Sequence, residues 1–139
     1  MWTQSYSKVF NNLEKEKIWS LWIDINNWHK WNPGIDYAKL EGNFEVGASF
    51  VLKPIKGPSV NIKIVEVVEG LRFTDCTTLL GAELCGTHEI IEEADGIRLT
   101  TTMKVTGMLS HLWKKLAEEI MKKVPEQTEN LVNLARLKE

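Results

Sequence analysis

The sequence predicts an α+β domain: a curved, seven-stranded antiparallel sheet wrapped around a long C-terminal helix, with two short helices after the first strand. Three observations predict it. Between residues 36 and 107, six strand-like segments follow one another, separated by glycine-bearing turns. From Met108 onward the apolar residues recur at helical spacing. A strand and two short amphipathic helices come before the sheet run. With 139 residues, the chain (1–139) has the size of one domain, large enough to hold a core without metal or disulfide.

Each element has a local reason. "TQSYSKVF" alternates and is rich in hydroxyl and aromatic residues, as a strand is. "NNLEKEKIWSLWI" turns helical. Asn11 or Asn12 can cap it, Glu14 stands where a capping box wants it, and Ile18, Trp19 and Trp22 share a face. Asp24 can cap a second short helix, "INNWHKW", which "NPG" ends. "YAKLEG" and "ASFVLK" follow, then the turn "PIKGPS", whose Pro54 and Pro58 cannot continue a central ladder. The remaining strands are "VNIKIVEVV", "LRFTDCTTLL", "ELCGTHEIIEE" and "IRLTTTMKVTG", joined by links short enough for tight hairpins. In the last helix Leu109, Leu112, Leu116, Ile120 and Val124 form an apolar stripe, continued by Leu131 and Ala135. Pro125 removes a helical hydrogen bond and crowds the preceding turn, so a kink is expected near Met121–Pro125.

Composition excludes several classes. Hydrophobic content of 43%, charged content of 26% and net charge −2 describe a globular protein with no field for nucleic acid or anionic lipid. The lysines at 114–115 and 122–123 alternate with Glu118 and Glu119, as on a solvated helix face. No signal peptide and no membrane-spanning run is seen, so no stable membrane insertion is expected. Cys76 and Cys85 are too few for a disulfide scaffold, and free thiols in a cytoplasmic protein are the expectation. His29, His88 and His111 lie far apart, and no phosphate loop or dinucleotide fingerprint appears, so neither metal nor cofactor is expected.

The turns set a hairpin register. Loops at Gly81-Ala82, Asp95-Gly96 and Glu69-Gly70 place Asp75 opposite His88, Phe73 opposite Ile90, Ile90 opposite Thr101, His88 opposite Met103 and Ile64 opposite Asp75. All three hairpins then agree on one face: Ile62, Ile64, Phe73, Asp75, His88, Ile90, Leu99, Thr101, Met103 and Val105. The other face of the last strand is polar throughout, so this set points inward. Asp75 and His88 stand out there. They are read either as a pair that orients a ligand's polar group or moves its protons, or as a self-satisfied polar pair in a packed core.

"EKIWSLWIDINNWHKWNPGIDYAKLEG", "LKPIKGP", "RFTDCTTLLGAELCGTHEI" and "IRLTTTMKVTG" ahead of a long helix resemble the START-like, polyketide cyclase/dehydrase and lipid-transport superfamily. The resemblance covers nearly the whole chain and implies the helix-grip fold, with a cavity between sheet and long helix for an apolar or amphipathic small molecule. With such a cavity, the inner-face residues Ile64, Phe73, Asp75, His88, Ile90, Thr101 and Met103 and the helix residues Leu116 and Ile120 are the ligand-facing candidates, and Trp28 and Trp31, flanking His29 before the NPG turn, are candidates for its mouth. Trp19 takes the place of the family's helix tryptophan, and Trp22 is additional to that pattern. The runner-up is a cyclase-type enzyme using Asp75 and His88 as acid and base. A third reading is a protein-interaction module, which an exposed apolar patch around Trp22 would favour.

Overall fold

The computed structural model describes residues 1–137. Its strands are β1 (Trp2–Phe10), β2 (Ile35–Leu40), β3 (Ser49–Pro54), β4 (Val60–Val68), β5 (Arg72–Leu79), β6 (Ala82–Glu93) and β7 (Gly96–Thr106). Its helices are α1 (Lys15–Ile23), a 3₁₀ helix (Ile25–Lys30), α2 (Ser110–Lys122) and α3 (Val124–Leu137). One antiparallel sheet runs β1-β7-β6-β5-β4-β3-β2, so the N-terminal strand closes onto the last one. This is the expected helix-grip arrangement. None of the described helices is long and apolar enough to cross a membrane.

The short elements begin differently from expectation. α1 starts at Lys15 with Glu14 at its cap and no side-chain capping bond, while Asn12 adopts a positive φ of 53° in the link before it. Asp24 does stand at the cap of the 3₁₀ helix, where its carboxylate accepts from Asn27 Nδ2 at 2.8 Å.

Two turns sit one residue earlier than the sequence suggests. Leu79 pairs with Ala82, so Leu80 and Gly81 make the β5–β6 turn, with Gly81 at φ 66°. Glu93 pairs with Gly96, so Ala94 and Asp95 make the β6–β7 turn. The glycine of Asp95-Gly96 is required by packing: a Cβ on Gly96 would lie 2.3 Å from the Phe10 carbonyl oxygen. Each slip changes the pairing by two residues and leaves every side chain on its expected face. It also corrects the cysteines. Cys76 and Cys85 are directly opposite on the outer face, Cα atoms 4.1 Å apart, and form a disulfide rather than two free thiols. The free-thiol argument for a reducing compartment therefore falls away.

The main core is aromatic. Trp22, Trp28, Phe50 and Phe73 are buried together with Ile18, Ile25, Ile64 and Ile90, and α3 adds Leu131, Val132 and Ala135. Edge-to-face contacts order these rings, for example Trp28 on Phe50 at 5.3 Å and Trp22 on Phe73 at 5.7 Å between centroids. α3 is further tied down by an ion pair of Lys8 with Glu129 and by Arg136, which donates to the Asn11 carbonyl at 2.7 Å.

The C-terminal helix is broken where a kink was expected. α2 ends at Lys122 and α3 begins at Val124. Pro125 lies in the first turn of α3, where a missing N–H has no helical partner to lose. α2 packs on β1, β6 and β7. Its Ala117 and Met121, with Val105 and Val124, are buried outside the main core cluster. The apolar stripe is wider than this contact, so Leu112 and Leu116 stay 62% and 42% exposed. Phe73, at 1% exposure, and Leu116 give a direct contrast. Phe73→Ala should cost about 3–5 kcal/mol in urea unfolding, and Leu116→Ala no more than about 0.5 kcal/mol; equal losses would contradict this packing.

Candidate functional site

Period-two alternation carries one set of side chains from β4 to β7 onto the concave face. One cross-strand row reads Ile64, Asp75, Gly86, Met103. The next reads Phe73, His88, Thr101. Ile64 is opposite Asp75 as expected. Asp75 faces Gly86 rather than His88, and Phe73 faces His88 rather than Ile90, because of the two-residue register shift. Likewise Thr101 faces His88, and Met103 faces Gly86.

Asp75 and His88 lie diagonally on the two sides of Gly86, without direct contact. A Cβ placed on Gly86 would lie 3.7 Å from Asp75 Oδ1 and 3.8 Å from His88 Nε2. The glycine thus leaves a niche between a carboxyl and an imidazole. On its other side the His88 ring stacks on Phe73, centroids 4.7 Å apart and planes 21° apart, and Trp22 lies 5.6 Å away. Thr101 Oγ1 is 3.5 Å from His88 Nδ1, the outer limit of a hydrogen bond.

Burial changes along this face in an informative way. Ile64, Phe73, Ile90, Leu99 and Val105 are buried, whereas Asp75, His88, Thr101 and Met103 are half-buried. These four lie between the main core cluster and the separate packing of Ala117, Met121 and Val105 under α2. The apolar filling of the concave face is therefore interrupted at its polar residues. Asp75 and His88 retain contact with solvent yet are largely desolvated. Burial alone pushes the Asp75 carboxyl from 3.8 up to about 7, and pushes the His88 imidazole from 6.5 down to about 4. Neither shift contains a contribution from a charge or hydrogen-bond partner. At neutral pH the niche holds a neutral imidazole and a carboxyl near half-protonation: an acceptor beside a group able to donate.

Other candidates fall elsewhere. Trp28 and Trp31 are buried rather than at a cavity mouth, and the Trp28 N–H is spent on the Trp22 carbonyl at 2.9 Å. Trp31 Nε1 is buried without a partner. Ile120 is half-buried on α2 and Leu116 is exposed. Trp22 is 3% exposed, so no surface patch forms around it. The sequence reading missed Gly86 and the Trp22 contact; a lone glycine inside "ELCGTHEII" is a signal of close approach that could have found the first. Among the described residues, the cluster with metal-like spacing is Cys76, Glu83 and Cys85, and its two sulfurs are bonded to each other. Two surface hollows lie off the strip, one of about 90 Å³ beside Leu21 and Leu134, another of about 420 Å³ beside Cys76.

The fold has many counterparts. A hypothetical protein of Helicobacter pylori superposes with a TM-score of 0.76 at 14% identity, over 96% of this chain and 87% of its own. A START superfamily protein of Mycobacterium smegmatis gives 0.72 at 19% identity, over 95% and 97%. Norcoclaurine synthase of Thalictrum flavum, solved in complex with dopamine and hydroxybenzaldehyde, gives 0.71 at 12% identity, over 99% and 90%. No protein-family model matches the sequence, and no curated protein does. The fold is START-like.

The opposed shifts predict an unusual stability profile. Asp75 keeps its proton in the folded state between pH 3.8 and 7 while the unfolded chain loses it, so its contribution falls as pH rises through that window. His88 stays neutral in the folded state between pH 4 and 6.5 while the unfolded chain gains a proton, so its contribution rises. Each slope is about 1.4 kcal/mol per pH unit, and the two cancel where they overlap. Asp75→Asn should therefore gain stability from pH 4 to 6.5, and His88→Gln should lose it. Urea midpoints across this range check the signs; parallel profiles for the two variants would contradict them.

Proposed function

We propose that the protein binds an amphipathic small molecule along the interrupted inner face, with its apolar part against Met103 and the α2 side, and its polar group in the niche of Asp75, Gly86, His88 and Thr101. The observation that carries this reading is a desolvated carboxyl with no protein partner, placed beside a neutral imidazole on an otherwise apolar surface. Such a pair suits a neutral hydroxyl or carbonyl. The carboxyl donates to it, the imidazole accepts from it, and no charge has to be buried. Small aromatic molecules bound to a protein of the same fold support the ligand class.

A second reading, a cyclase-type enzyme, is favoured by the Asp75 carboxyl lying near neutrality, where a general acid or base is most effective. Mass spectrometry of the molecule that co-purifies with wild type and with Asp75→Asn separates the two. A binder yields one compound from both proteins; an enzyme yields product from wild type and precursor from the variant.

Gly86 tests the site without removing a polar group. Its φ is not positive, and a Cβ there meets only ordinary contacts, so the fold accepts a side chain. Gly86→Leu fills the niche and should weaken binding of the neutral fluorescent probe 1-aminoanthracene about tenfold or more, equivalent to about 1.4 kcal/mol, while Gly86→Ala retains the wild-type melting temperature. Absence of saturable binding by wild type, or equal affinity in wild type and Gly86→Leu, would contradict the proposal.

A further inference from the structure

On the outer face, the row that carries the disulfide continues in both directions. Lys63 is directly opposite Cys76, Cys76 opposite Cys85, and Cys85 opposite Lys104. Both lysines are exposed. The disulfide therefore sits in a cross-strand row with an exposed lysine at each end, and a cation close to a thiolate stabilises it. A third charge is present: the Glu83 carboxylate oxygen lies 3.6 Å from Cys85 Sγ. The hollow of about 420 Å³ opens beside Cys76 and is walled on the β4 side by Ser59, Val60 and Asn61.

We propose that Cys76–Cys85 is a thiol–disulfide exchange site for a small dithiol, attacked at Cys76 from this hollow. The incoming thiolate forms a bond to Cys76 Sγ, the Cys76–Cys85 bond breaks, and its electron pair leaves on Cys85 as a thiolate. Lys104 faces that leaving group and stabilises it; Glu83 opposes it. The second thiol of the dithiol then attacks its own sulfur in the mixed disulfide and releases Cys76. The dithiol is oxidised to a disulfide, both cysteines are reduced, and the two protons lost by the dithiol end on the two cysteine sulfurs. Reduction by a thiolate is governed by the stability of the leaving thiolate, by which sulfur is attacked and by access. The row of charges and the hollow set all three.

The test follows reduction of the purified oxidised chain by dithiothreitol at neutral pH, with thiols counted by mass after alkylation. Lys104→Gln should slow reduction, and Glu83→Gln should accelerate it, each by about threefold or more at low salt, with both differences shrinking at high salt. These exposed polar substitutions leave the core untouched. With glutathione as a single thiol, the mixed disulfide should be found on Cys76 and the alkyl group on Cys85. Equal rates for all three proteins would overturn the proposal, as would glutathione on Cys85, or a wild-type disulfide that dithiothreitol reduces only in denaturant.

Discussion

The contact on which both halves of the molecule depend is the aromatic enclosure of His88. Its ring stacks on Phe73 across the β5–β6 ladder and meets Trp22 from α1. Through Trp22 the helix is fastened to the sheet. Through the same surfaces water is kept from the imidazole, which makes its charged form costly. The neutrality of His88 in turn decides the state of Asp75. An imidazolium close by would hold the carboxyl ionised, but a neutral ring leaves desolvation unopposed and the carboxyl rises to about 7. The polarity of the niche is thus a consequence of hydrophobic packing.

A second consequence is the division of the concave face. α3 joins the main core through Leu131, Val132 and Ala135, whereas α2 packs separately through Ala117 and Met121 on the β7 and β1 side. The break at Lys123 lets the two helices take these different seats. Between them the sheet presents half-buried residues, and the small side of that strip is Gly86. A filled core there would demand a partner for Asp75; the proposed amphipathic ligand would supply one.

Much of this was legible from residue types. The strand count, the N-terminal strand, the broken C-terminal helix and the membership of the inner face all follow from alternation, turns and one proline. The face held because the β5–β6 and β6–β7 turns each moved the register by two residues, and side chains repeat every two, while the β4–β5 loop, one residue longer than the expected Glu69-Gly70 turn, is offset by a bulge at Val65. Opposition did not hold, since it depends on single positions. The same shift separated Asp75 from direct contact with His88 and brought Cys76 onto Cys85. Gly96 shows why: its dipeptide looks like a turn centre, but the demand for glycine comes from the Phe10 carbonyl, which no local pattern reveals. The tryptophans were illegible for a related reason. Whether an indole lines an opening or fills a core depends on what its N–H meets, and for Trp28 that is a carbonyl six residues back on the neighbouring helix. For α2 the stripe was clear, yet which arc of it would touch the sheet was not.

The central claim is that this face holds a partner-free carboxyl raised to near neutrality beside a neutral imidazole. Carbon-detected NMR titration of the Asp75 carboxyl and the His88 ring, from pH 3 to 9 as an order-of-magnitude window about their ordinary values, measures it directly. The account predicts midpoints of about 7 for Asp75 and about 4 for His88. Midpoints at their ordinary 3.8 and 6.5 would mean a solvated pair with no site between them, and would contradict it.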